Sequence, residues 1–272
     1  MPIRYYTDQL HREVKIPLLP QRIISLVPSQ TELLYDLGLS TEVVGITKFC
    51  VHPDSWFRSK TRIGGTKDVH FDRIRALAPD LIIANKEENR QDQIETLAQE
   101  FPVWISNIQS LEEALEMING IGEITGRTAS AIPLVQQIRE NFASLHNMIP
   151  PSPEKAVPTV AYFIWRDPWM VAGGDTFIHE MLQTCGFKNA FAHIHRYPET
   201  NLQQLPAYFP ANTTPLVFLS SEPYPFKEKH IAEIQAVIPH AQIRLVDGEL
   251  FSWYGSRLLH APAYFKSLIH SL

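Results

Sequence analysis

Arg22-Ile23-Ile24-Ser25-Leu26-Val27-Pro28-Ser29-Gln30-Thr31-Glu32-Leu33-Leu34-Tyr35-Asp36-Leu37-Gly38, followed closely by Val43-Val44-Gly45-Ile46, decides the fold. The apolar run ending at Val27 suits a strand buried on both faces, as parallel sheets require. Pro28 stops it. Ser29 and Glu32 predict a capping box ahead of a short helix over 32–37, which Gly38 ends at its C′ position. The valine-rich segment is the next strand. A strand, a helix and a second strand at this spacing form a crossover unit, and its sheet is parallel.

Working outward, the alternation continues. A helix is expected over 71–78, with Ile74 and Leu77 on one face, then a buried strand Leu81-Ile82-Ile83-Ala84. An amphipathic helix over 89–100, the strand Val103-Trp104-Ile105 and a second capping box, Ser110 with Glu113, complete a first lobe over 1–125. From Arg127 to about Asn147 the pattern is helical despite Pro133, with Ile138, Phe142 and Leu145 on one stripe. Pro150-Pro151-Ser152-Pro153 follows. A helix is a stiffer spacer than a flexible linker, so 126–150 reads as a rigid connecting helix. The second lobe, 151–272, repeats the logic with strands at 159–164, 216–219 and 243–246. Its helices are expected after Gly174-Asp175-Thr176, over 227–237, and over 257–272 with a kink or break at Pro262. The expected class is α/β: two Rossmann-like lobes with parallel sheets, joined by one long rigid helix.

The chain has 272 residues, 44% hydrophobic and 19% charged, enough for a sizeable core. A net charge of −5 with no run of Lys or Arg argues against nucleic acid and anionic membrane as partners. No stretch approaches the roughly 18 apolar residues of a membrane helix. Met1-Pro2-Ile3-Arg4-Tyr5-Tyr6 lacks a secretory pattern, so the chain reads as cytoplasmic as written, or periplasmic if a signal was trimmed. Cys50 and Cys185 form no metal or redox spacing.

Ligands of open parallel sheets bind outside the carboxyl ends of the strands, so the loops that follow each strand hold the site candidates. In the first lobe these carry Phe49, Cys50, His52, Thr66, Lys67, Asn85, Glu87, Glu88 and Asn89. In the second they carry Trp165, Trp169, Phe251, Trp253 and Tyr254. Aromatics at strand ends suit a broad, flat, partly apolar ligand; packing within the lobes is the other use of such rings. Cys50 and His52 offer metal-ligating atoms, but two donors are not a site, and a buried thiol beside a capping histidine reads equally well. Glu87 and Glu88 either meet a cationic or metal-bearing ligand or serve the first turn of the following helix. His193 and His195 read as a solvated loop pair. Neither a GxGxxG nor a GKS/T loop, a GxSxG elbow nor an HExxH is present, so nothing argues for nucleotide chemistry or catalysis.

The order of elements and several phrases resemble the class III substrate-binding proteins of ABC importers, the helical-backbone metal receptors for cobalamin, haem or iron–siderophores. The likeness runs through Thr7-Asp8 to Pro17, Pro20 to Leu26, Pro28 to Leu33, Leu37-Gly38, Val44-Gly45, Gly64-Gly65, Ile74-x-x-Leu77-x-Pro79-Asp80-Leu81-Ile82 and Gly173 to Gly186. It implies a binding protein without an intrinsic cofactor, holding a cobalamin-like corrinoid, haem or iron chelate in a cleft between two lobes that close little. Phe49, Trp169, Tyr197 and the Phe251/Trp253 pair stand where cobalamin binders place aromatics, while Thr66 and Asn85 occupy two further aromatic positions. Polar contacts would come from Lys67, Glu87, Glu88 and Asn89. Relatives of this type dock on a membrane permease through one acidic residue per lobe. Asp72 fits the first position, and Gln203 stands at the second, which removes a charge–charge contact from an ABC permease partnership. The alternative is a cytosolic enzyme or chaperone of tetrapyrrole or corrinoid metabolism, for which Cys50, His52 and the two glutamates would be the only reactive groups.

Overall fold

The computed structural model describes residues 2–148, 157–211 and 213–272. The Pro150-Pro151-Ser152-Pro153 stretch and the expected lobe boundary at 151 lie outside the described residues. The chain divides into two compact units: Met1–Ile108 with Glu112–Ile138 and Tyr254–Leu259, and Gln109–Leu111 with Arg139–Trp253 and His260–Leu272.

The first unit opens on an antiparallel hairpin, β1 (Ile3–Thr7) and β2 (Glu13–Pro17), in which Tyr6, Val14 and Ile16 alternate inward. Then come β3 (Ile23–Ser25), α1 (Pro28–Asp36), β4 (Val43–Ile46), α2 (Asp54–Ser59), β5 (Thr61–Arg62), α3 (Phe71–Leu77), β6 (Leu81–Asn85), α4 (Gln91–Ala98), β7 (Val103–Ser106) and α5 (Leu111–Ile124). The five strands from β3 onward form one parallel sheet in the order β5-β4-β3-β6-β7. β3 and β6 are buried along their whole length, which is why their sequences are continuously apolar rather than alternating.

One expected cap and one expected helix start are corrected here. α1 starts at Pro28, with Val27 as N-cap and no side-chain cap, so Ser29 and Glu32 form no capping box. Proline at the first helical position needs no N–H partner and supplies the right φ, so the strand stop doubles as a helix start. Glu32 instead accepts two bonds from Arg257, Nε at 2.8 Å and Nη2 at 2.6 Å. Gly38 does end the helix at C′, with φ of +85°. α4 is shorter than expected, because Asn89 is committed to the preceding loop.

A 21-residue helix, α6 (Thr128–Met148), contributes residues to both units, and its stripe of Ile138, Phe142 and Leu145 is buried. The second unit continues with β8 (Thr159–Trp165), β9 (Met170–Val171), α7 (Phe177–Thr184), β10 (Lys188–Asn189), a 3-10 segment Leu202–Tyr208, β11 (Leu216–Ser220), α8 (Glu228–Gln235), β12 (Gln242–Val246), α9 (Gly248–Ser252) and α10 (Ala261–His270). Its sheet runs β10-β8-β11-β12, all parallel, with β9 added antiparallel to β8. Phe163, Val217 and Leu219 from the strands pack with Phe191, Ile234 and Ile243 as a core. The segment expected as a helix from Arg257 with a kink or break at Pro262 is a 3-10 turn, Ser256–Leu259, followed by α10. Pro262 cannot donate to the Leu258 carbonyl and its ring would strike it, so the helix restarts with proline in its first turn.

Candidate functional site

Each sheet has a place where successive strands are laid down on opposite sides of the first. In the first unit β3 lies between β4 and β6, and in the second β8 lies between β10 and β11. Loops leaving such neighbours diverge and open a crevice at the carboxyl ends of the strands. Two places follow from topology alone: the tips of β3 and β6, and the tips of β8 and β11.

At the first, the β6–α4 loop is shaped by two buried asparagines. Asn85 Oδ1 accepts from the backbone of Glu87 (2.8 Å) and Glu88 (3.1 Å), and its amide donates to Ser106 Oγ (3.0 Å). Asn89 Oδ1 accepts from Asn85 N–H (2.8 Å), while its amide donates to the carbonyls of Leu26 (3.3 Å) and Thr66 (3.0 Å). One side chain thus ties together the tips of β3 and β6 and the glycine turn. Asn89→Ala would leave the buried Asn85 N–H without its partner, and we expect a loss of about 2 kcal/mol, read from the urea midpoint.

That turn seats Phe49. Gly64 holds φ of +112°, and a β-carbon on Gly65 would stand only 3.2 Å from the Phe49 ring. The ring is 52% exposed, with Lys48 Nζ 5.1 Å from its centre. Lys67, exposed, donates to the Glu87 carbonyl. Glu87, Glu88, Thr66 and His52 are half-buried around these loops. Burial raises the carboxyl pKa of Glu88, with Lys67 opposing and Glu87 reinforcing the shift. Cys50 is fully buried, its Sγ 3.1 Å from the hydroxyls of both Thr31 and Thr47. Burial, with Glu88 adding to it, outweighs those hydroxyls and raises the thiol pKa. A protonated, enclosed thiol is neither a metal ligand nor a nucleophile.

At the second place, Trp165 ends β8 and stands 39% exposed. Tyr224, from the β11–α8 loop, meets it edge-on with ring centres 5.7 Å apart, and its N–H donates to the Ile164 carbonyl (3.3 Å). Trp169 stacks on Phe226 at 5.9 Å and lies under the Arg166 guanidinium at 5.7 Å. Arg166 is held by Glu233 (2.9 Å) and Asp167 (2.5 Å). Glu222 Oε1 accepts from Trp253 Nε1 (2.6 Å) and Ser252 Oγ (2.7 Å).

The candidate residues differ in how far they are exposed. Cys50, Asn85 and Asn89 are buried, with their polar atoms bonded inside the loops, so they shape these loops. Phe251 is fully buried among Tyr162, Phe218 and Phe265 and belongs to the core. Trp253 and Tyr254 are also buried. Tyr197 is half-buried in a segment whose carbonyls, those of Ile194 and Arg196, accept from Gly174 and Gly173 (both 2.8 Å). His193 and His195 are exposed in that segment, and Asp72 and Gln203 are exposed on α3 and the 3-10 segment. Tyr224 and Glu222 were missed by the sequence reading, although the strand-end rule points to the loop after β11 as directly as to the others.

No group of three or more His, Cys, Asp or Glu side chains is arranged to hold a metal ion among the described residues. A concavity of about 760 Å³ lies elsewhere in the second unit, lined by Thr159, Lys188, Asn189, His193, Tyr208 and Phe209 among others. Thr159 and Lys188 open their strands, so it sits at the opposite end of the sheet from the loops described above.

A family model described as periplasmic binding protein matches residues 23–223. The chain is 30% identical over 190 residues to an uncharacterised ABC transporter substrate-binding lipoprotein of Bacillus subtilis (strain 168), covering 68% of this chain and 60% of that protein. It is 26% identical over 187 residues to a vitamin B12-binding protein of Yersinia pestis (strain Pestoides F), covering 68% and 65%. The matches thus span less than two thirds of the length of these curated relatives. Among solved structures, the periplasmic vitamin B12 binding protein of Vibrio cholerae superposes with a TM-score of 0.77 at 20% identity, covering 94% of this chain and 98% of that one. That likeness bears out the α/β class with parallel sheets.

Proposed function

Because the chain belongs to the periplasmic binding protein family, we propose that it is a substrate-binding protein of the ABC-importer type whose strand-end loops hold a cobalamin-like corrinoid or another flat metal chelate. The observation that carries this reading is the pair of exposed rings at the two topologically favoured places, Phe49 in one unit and Trp165, braced by Tyr224, in the other. Rings presented at strand tips, with Lys67, Glu87 and Glu88 beside one of them, suit a ligand that is broad, planar and edged with polar groups. The Yersinia relative, a vitamin B12-binding protein, supports the ligand class, and the Bacillus one, an ABC transporter substrate-binding lipoprotein, supports a transport role. In this reading Asp72 offers the acidic contact to a permease, and Gln203 offers a neutral one.

Relatives named as periplasmic and as lipoproteins favour action outside the cytoplasm, in place of the cytoplasmic location expected from the opening residues. No helix among the described residues is long and apolar enough to cross a membrane. A cytosolic enzyme gains no support, since the relatives are binding proteins and Cys50, the strongest reactive candidate, is enclosed and protonated.

Titration of the purified protein with cyanocobalamin, haem and a ferric siderophore tests the proposal. At least one should bind more tightly than about 100 µM, equivalent to about −5.5 kcal/mol. Phe49→Ala and Trp165→Ala should each weaken that ligand about tenfold, the effect of losing one well-placed aromatic contact. Failure of all three ligands to bind would overturn the reading.

A further inference from the structure

Besides its backbone bond to Ile164, Tyr224 is held beside Trp165 through its side chain by a histidine outside the loop. His230, at the third position of α8, is buried. Its Nδ1 accepts from the Lys227 N–H at 2.8 Å, reaching back to the start of the helix as a glutamate does in a capping box. That bond fixes the tautomer: Nδ1 is bare, so the proton is on Nε2, which lies 3.3 Å from the Tyr224 hydroxyl and donates to it. The imidazole also meets the rings of Tyr224 and Phe226 edge-on, at 5.5 and 5.4 Å. One neutral side chain thus caps α8 and fixes Tyr224, and Tyr224 fixes Trp165.

We infer that His230 is a positioning residue for the exposed ring of Trp165, holding Tyr224 in place while neutral and releasing it when protonated, so that the second unit presents its aromatic surface less well in acid. A proton on Nδ1 removes the acceptor that the Lys227 N–H uses. It also sets a positive charge in the first turn of α8, at the positive end of the helix dipole. The charged groups facing the ring are Lys229 and Glu233 from α8 and Arg166 from the β8–β9 loop, Lys227 meeting it only through its backbone; Tyr224 is the remaining titratable neighbour. Burial, Lys229 and Arg166 lower the imidazole pKa, with Glu233 opposing them.

The sign of the effect follows. A histidine whose folded pKa lies below its unfolded value near 6.5 leaves the folded state fully stabilised above that value. That contribution is lost as the pH falls below it, as the unfolded chain takes up the proton first. In the folded protein the ring stays neutral through 6.5 and below it, so the brace should hold at pH 7.5 and loosen only as the pH falls through the lowered folded pKa.

The importance of this device for binding rests on the ligand reading above, but the movement of Trp165 does not. The test therefore uses the protein without ligand first. Incorporation of 5-fluorotryptophan gives one fluorine resonance for each of the five tryptophans, and Trp165→Phe assigns the relevant one. We expect that resonance to shift as the pH falls from 7.5 to the acid limit at which the protein stays folded. The shift should vanish in His230→Gln, because glutamine keeps an acceptor at the third helical position but does not titrate. Tyr224→Phe, which retains the ring and removes the hydroxyl, should reduce it. A Trp165 resonance that ignores pH, or one that titrates equally in His230→Gln, overturns the inference. Adding cyanocobalamin, haem and ferric siderophore to the same samples separates the two readings. Binding that weakens roughly threefold in acid in the wild type, and not in His230→Gln, supports both. A pH-dependent Trp165 signal with no ligand response leaves the brace standing and sinks the ligand class.

Discussion

Arg257→Ala should be among the most destabilising single substitutions in the first unit, lowering stability by about 3 kcal/mol. The guanidinium and the Glu32 carboxylate form a two-pronged pair at 2.8 and 2.6 Å, with side chains only 17% and 18% exposed. Truncation leaves the largely desolvated Glu32 carboxylate without its cationic partner. Breaking a fully buried pair in this way costs about 3–5 kcal/mol, and the partial exposure here trims that range. The same pair secures the Tyr254–Leu259 segment against α1, where a β-carbon on Gly255 would come within 2.9 Å of the Ser29 carbonyl. Replacing both partners by methionine should recover most of the loss, since the cost lies in the orphaned charge rather than in the absence of attraction. Urea midpoints for the two single variants and the double variant check this. Equal stability of Arg257→Ala and wild type would mean that the pair is an incidental surface contact.

Glu32 also illustrates what can and cannot be read from a sequence. Its spacing from Ser29 is that of a capping box, and only the fold reveals that a residue 225 positions away claims its carboxylate. The central strands were legible because burial on both faces forces an unbroken apolar run, as in Ile82-Ile83-Ala84. The hairpin of β1 and β2 was not, because its alternation of Tyr6, Val14 and Ile16 is short and interrupted by charges. β5, β9 and β10 are two residues long, which is too little for any period to show. At the candidate site, the rule that ligands meet strand tips led to the loops that carry the exposed rings of Phe49 and Trp165. It cannot distinguish a side chain that faces the crevice from one that builds it. Asn85 and Asn89 have the same polar groups as a ligand-binding pair, yet their bonds go to backbone groups of Glu87, Leu26 and Thr66. Phe251 sits one turn of chain beyond a strand tip, and α9 rotates it into the core.

Gly174→Ala should disturb the second unit by roughly 2–3 kcal/mol and weaken whatever contact Tyr197 makes, and the cause is backbone rather than side chain. An added methyl would overlap the carbonyl oxygen of Ala192 and approach its carbonyl carbon to 2.8 Å. Gly173 is as tight, against the Ile194 and Arg196 carbonyls. These close approaches let Gly173 and Gly174 donate to Arg196 and Ile194 at 2.8 Å, so the glycine pair acts as the template for the 192–197 segment. The Ala192 carbonyl is backbone, in a residue whose N–H is tied to the Asn189 carbonyl (3.2 Å), and cannot yield as a flexible side chain would. Gly120→Ala supplies the control. It lies inside α5, its new methyl would meet only the Trp104 ring at an ordinary 3.4 Å, and alanine favours helix by up to about 1 kcal/mol. Urea midpoints for the two variants should therefore move in opposite directions, Gly174→Ala downward and Gly120→Ala level or upward. A Gly174→Ala protein as stable as wild type would show that the 192–197 segment shifts freely, and the placement of Tyr197 would then have no structural support.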